Sequence, residues 1–76
     1  MKVLIKDPEL RQYLAAGGGW TANVDEADDF IVTTIAYNFA RQRMPSHFEI
    51  VLHLPETNEL IVFAEGLGRA LISLAA

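Results

Sequence analysis

"HFEIVLHLPETNELIVFAEG", from His47 to Gly66, is the stretch on which the fold turns. Phe48, Ile50, Leu52 and Leu54 alternate with Glu49, Val51 and His53, the period of two that a strand shows when one face is buried. "PETNE" supplies residues that reverse a chain, and "LIVFAE" then returns. Two such runs joined by about five residues predict a β-hairpin. The returning run offers Leu60, Val62 and Ala64 to one face and Ile61 and Phe63 to the other. With Phe48, Ile50 and Leu52 meeting a helix, the second face carries Val51, Ile61 and Phe63, with Tyr13 as a further candidate and His53 beside Val51. The hairpin is apolar on both sides, so something besides that helix must shield it from water.

Just upstream, "TTIAYNFARQRM" predicts the helix, Thr33 to Met44. Thr33 suits an N-cap. Ile35, Ala36, Phe39, Ala40 and Arg43 recur at the spacing of a helix laid on a sheet. Pro45 ends it, and Arg41 and Arg43 suit the negative end of the helix dipole. At the start of the chain, "KVLIK" reads as a strand, "DPE" as a turn, and "LRQYLAA" as a second strand pairing back on the first.

Between them lies "AAGGGWTANVDEADDF", Ala15 to Phe30. Gly17 to Gly19 mark a loop. They lack the lysine and the G-x-x-x-x-G-K-[ST] spacing of a phosphate cradle. Asp25, Glu26, Asp28 and Asp29 miss the calcium-loop pattern, because Ala27 holds its third position and no glycine holds its sixth. The stretch therefore reads as a chain reversal around a short helical turn, with Ala27 and Phe30 inward and the acids outward. In the tail, Leu67, Ala70, Leu71 and Leu74 fall at the spacing of a short C-terminal helix.

Totals narrow the chemistry. The chain has 76 residues, 51% hydrophobic and 21% charged, which suits one globular domain. Residues 1–66 would form sheet and helix, and residues 67–76 an apolar tail. There is no cysteine, which excludes disulfides and thiol chemistry. The net charge of −4 makes nucleic acid a poor partner. No signal sequence or membrane-spanning run is seen, so the cytoplasm is the expected location and no membrane partner is expected. His47 and His53 are six apart in one predicted strand, ~20 Å, too far to share a metal. Ser46 and Ser73 lie in no nucleophile elbow, and Ser46 and His47, being adjacent, point apart. No catalytic, cofactor or metal residue is assigned.

Trp20 and Thr21, then Ala27 and Phe30, form a W-T-x5-A-x2-F segment, followed by Thr33, Ala36 and the strand "EIVLHL". This layout resembles short, uncharacterised bacterial proteins that begin with a β-hairpin and carry such a segment before a helix and an IVL-type strand. The resemblance covers roughly residues 1 to 54 and leaves out the tail from Leu67. It implies a fold and no activity, since that group has no assigned function.

The expected fold is α+β: a β-β-α-β-β antiparallel-type sheet, one helix packed on a face, and a short C-terminal helix. Its core would hold Val3, Ile5, Leu14, Trp20, Phe30, Ile35, Phe39, Ile50, Leu52 and Val62. The expected function is a small non-enzymatic protein-interaction module, either a homodimer or an accessory subunit. Its contact surface would be the second sheet face and the tail, through Val51, Ile61, Phe63, Leu67, Leu71 and Leu74. Either the tail folds over that face or another chain does. The competing expectation is an acidic inhibitor that masks a basic or nucleic-acid-binding surface of a partner protein.

Overall fold

The computed structural model describes residues 1–44 and 46–68. Pro45 and the tail residues 69–76, with Leu71, Leu74 and the expected C-terminal helix, lie outside the described residues. Five strands form one antiparallel sheet: β1 (Lys2–Asp7), β2 (Gln12–Leu14), β3 (Trp20–Thr21), β4 (His47–Leu54) and β5 (Glu59–Leu67). Their spatial order is β3-β2-β1-β4-β5, and the helix α1 (Thr33–Arg43) packs on one face. The α+β class holds, with β3 as one short strand beyond the expected four.

The first turn is tighter than the pattern implied. The Asp7 carboxylate accepts hydrogen bonds from the Glu9 and Leu10 amides at 2.9 and 3.2 Å, an Asx turn around Pro8. Arg11 then takes a φ of 56°, which leaves only Gln12 to Leu14 for β2. In the second hairpin, Asn58 adopts φ 58° in the loop that Leu54 and Glu59 close. Asparagine tolerates that left-handed conformation better than most residues.

Helix α1 seats two alanines on the sheet. Ala36 and Ala40 are fully buried, and their small side chains let the helix axis come close. Met44, one turn further on, completes this row over Val3, Ile5, Phe48 and Ile50. Ile35, expected in the core, is instead 57% exposed, because a helix seated on Ala36 and Ala40 turns position 35 to solvent. Thr33 is inside the first turn, and Val32 occupies the cap position without a side-chain bond. Leu14, Trp20, Phe30, Phe39 and Leu52 are half-buried around the same cluster.

Both faces of the sheet are packed at β1. On the side away from the helix, Leu4, Tyr13, Val51 and Ala27 form a second cluster, with Val24 against it. The cover is the acidic stretch itself. Asn23 caps a 3-10 turn, Val24–Glu26, by accepting from the Asp25 amide at 2.9 Å. Ala27 bridges Ala15, and the Asp28 amide donates to the Leu14 carbonyl at 2.9 Å. Ala27 points inward as expected.

From there the chain crosses to the helix side along the first half of β1, where β2 does not reach. The Phe30 amide donates to the Val3 carbonyl at 2.9 Å, and Phe30 packs on Phe39 with ring centroids 5.2 Å apart. Asp29 fixes this crossing: its carboxylate accepts from the Val3 amide at 3.0 Å and the Ile31 amide at 2.9 Å. Ile31 takes φ 68° there. The Val3 amide, then that of Ile31, with Lys2 and the N-terminal amine nearby, hold the Asp29 carboxyl below its ordinary range despite some desolvation.

A carboxyl depressed in the folded state stabilises the fold above its unfolded pKa, about 3.9, and the benefit fades as pH falls through the lower folded value. Asp29→Asn keeps an accepting oxygen and removes the charge. The variant should melt below the wild-type protein at pH 7, and the gap should close as melts are repeated toward pH 3, within the window set by the lowered pKa.

Candidate functional site

Strand β5 forms one margin of the sheet, and among the described residues no strand pairs with its outer edge. It is nine residues long. The opposite margin, β3, has two residues. Leu60, Ile61, Val62, Phe63 and Leu67 are each between 41% and 57% exposed. Scattered apolar residues on a surface are ordinary, whereas five on a single margin form a continuous strip. No proline and no lysine interrupts β5, although natural margins commonly carry them against unwanted pairing.

Pairing between β4 and β5 settles which side chain faces where. Ile50 is opposite Ala64, but Val51 is opposite Val62, so Phe63 is an extra residue on β5. Residues opposite each other share a face, so the bulge reverses the expected alternation from Val62 outward. Ile61 stands opposite Leu52 on the helix side. Val62, expected in the core, stands opposite Val51 on the reverse side and is half exposed. Phe63 lines a groove of about 210 Å³ on the helix side, together with Thr33, Thr34, Tyr37, Ile50 and Ala64. The groove lies between α1 and β5, where the helix is centred on β1 and only partly covers β5.

The six expected contact residues therefore separate. Val51 is 2% exposed under Val24 and Ala27, so it is no part of an open face. Ile61 and Phe63 are on the helix side, not beside Val51. Leu67, opposite His47, is exposed at the end of β5. Leu71 and Leu74 lie outside the described residues. Leu60 and Val62 join the strip from the reverse side. Sequence reasoning missed them because only the bulge turns Val62 outward, and no residue type announces that bulge.

Charge along the margin is one-sided. Glu59 and Glu65 bracket the apolar run, and β5 contains no basic residue. On the reverse face one row crosses the sheet as Thr21, Tyr13, Lys6, Glu49 and Glu65. The Lys6 ammonium lies 5.7 Å from the centre of the Tyr13 ring and opposite Glu49. Burial, and secondarily the Glu49 carboxylate, push the Tyr13 phenol up. Glu65, last in the row, has only Glu49 opposite it. Like charges placed so are mildly destabilising.

Of the two histidines, His53 is buried and its Nε2 donates to the Asn58 side-chain oxygen at 2.8 Å, tying strand to turn. His47 is exposed at the other end of β4. No group of three or more metal-ligating side chains assembles among the described residues, and no helix there is long and apolar enough to cross a membrane. What this arrangement offers chemically is a strip of apolar side chains, backbone groups that no strand pairs with among the described residues, and flanking carboxylates. No known protein family, curated protein or solved structure matches the chain.

Proposed function

We propose that this protein is a small non-enzymatic interaction module whose contact surface is the β5 margin. The observation that supports it is the exposure of Leu60, Ile61, Val62, Phe63 and Leu67 on a single strand whose outer edge pairs with no strand among the described residues. Covering them would remove apolar area from water on both faces at once, at roughly 25 cal/mol per Å². A partner that also paired with the backbone of β5 would add main-chain hydrogen bonds, the mode of strand addition. The acidic-inhibitor reading draws less from the structure. Its acids are divided between two flanks: Asp25 and Glu26 lie beside the β1–β2 side, and Glu59 and Glu65 on the far margin.

The test is a paired substitution, Ile61→Asp with Phe63→Asp. Both side chains are about half exposed, so each substitution should cost about 1–2 kcal/mol, and a urea melt of the variant checks that it remains folded. Association, read by sedimentation velocity and by crosslinking in host extract, should be lost and solubility should rise. A wild-type protein that sediments as a monomer, crosslinks to nothing and is no less soluble than the double variant would refute the proposal.

A further inference from the structure

We infer that the occupant of the β5 margin is an extended segment of another protein, apolar in its middle and carrying Lys or Arg at both ends. The inference rests on the interaction reading above and adds the chemistry of the partner. A strand added beside β5 continues the rows of the sheet. Beside Leu4–Val51–Val62 on the reverse face it meets an apolar row, and on the helix side it meets Ile61 and the groove that Phe63 lines. Its middle must therefore be apolar on both faces. At the two ends it meets Glu59 and Glu65. Lys6, the one cation in the Glu65 row, stands between Tyr13 and Glu49, two strands inward. A cation from the added strand would complete that row by standing opposite Glu65.

A second copy of this chain fits less well. Among the described residues, β5 paired with its own twin brings two more glutamates and no cation to the margin. The other margin, with two residues in β3, is too short to receive β5 head to tail. Both forms of self-pairing thus leave the carboxylates unmatched or the strand mostly uncovered.

The probe is a synthetic peptide of about six residues, valine alternating with isoleucine between terminal lysines, so that its middle is apolar on both faces and its two lysines point to opposite faces, as Glu59 on the helix side and Glu65 on the reverse side do. Its controls are the same peptide with terminal glutamates and a lysine-ended version N-methylated at alternate amides. Backbone amide spectra of the full chain provide the readout. The lysine-ended peptide should shift β5 resonances and slow their hydrogen exchange, and it should bind about three- to thirtyfold more tightly than the glutamate-ended one. N-methylation should abolish the effect, because it removes donors needed for strand pairing. Glu59→Lys with Glu65→Lys, both at exposed positions, should invert the preference. Equal binding of the two peptides, or a preference indifferent to the charge reversal, overturns the inference. So does protection of the β5 amides that grows with protein concentration alone, which would assign the margin to a second copy and leave the interaction reading standing. A monomer whose β5 amides respond to no peptide overturns both.

Discussion

Phe48→Ala is expected to cost about 3–5 kcal/mol, at or near the upper end. The side chain is 1% exposed and sits at the centre of the helix-side core. Its ring meets Tyr37 edge-on, with centroids 5.4 Å apart. On the strand side it lies over Gly66, its cross-strand partner, where an added β-carbon would come within 2.9 Å of Phe48 Cε2 and closer still to its Cζ. Glycine at 66 is thus the space that the ring fills. With the ring gone, position 66 has no side chain to collapse into the void, and paired backbone cannot close it. A domain of this size has roughly 4–11 kcal/mol in total, at 0.05–0.15 kcal/mol per residue. The variant should therefore lose between about a quarter and all of that stability, visible as a large drop in the urea midpoint. Loss of less than about 1 kcal/mol would show that the core is centred elsewhere.

Leu4→Ala should cost about 2–5 kcal/mol, and this figure distinguishes two descriptions of the sheet. Were the face away from the helix open to water, removing Leu4 would change stability by about 0.5 kcal/mol or less. Leu4 is instead fully buried among Tyr13, Ala27 and Val51. Its loss should also loosen the overlying segment first. Amides whose bonds tie that segment down, Asp28 to Leu14 and Phe30 to Val3, should exchange faster than those between β1 and β4. Denaturation measured beside amide exchange checks both statements on one sample. Wild-type stability in the variant would mean that the acidic stretch does not cover the sheet.

The hairpin and the helix were legible because each rests on a local pattern: alternation in β4, turn chemistry between the strands, and a helical run stopped before residue 45. The helical turn around Asp25 was legible for the same reason. What escaped depends on placement in space. Periodicity admitted Ile35 and Ala36 alike to the helix's inner face, and only docking at Ala40 and Met44 selects the alanine. The strand Trp20–Thr21 is too short to announce itself beside three glycines. Val51 looked like an open-face residue because nothing in its own strand shows that Val24 and Ala27, far back in the chain, return beneath it. Exposure of the second hairpin strand was anticipated in outline, but its faces were exchanged from Val62 to Leu60, since alternation was carried straight through the bulge.

Phe63 stands outside the pairing ladder. Were it excised, Val62 and Ala64 would become neighbours opposite Val51 and Ile50, the partners they already have. The hairpin could shorten by one residue there without turning any remaining side chain over. Shortening β5 at a ladder position would instead force a slip, moving apolar residues to the wrong side. The register of the sheet is thus indifferent to this aromatic, whose place is set by the groove it lines and not by strand pairing.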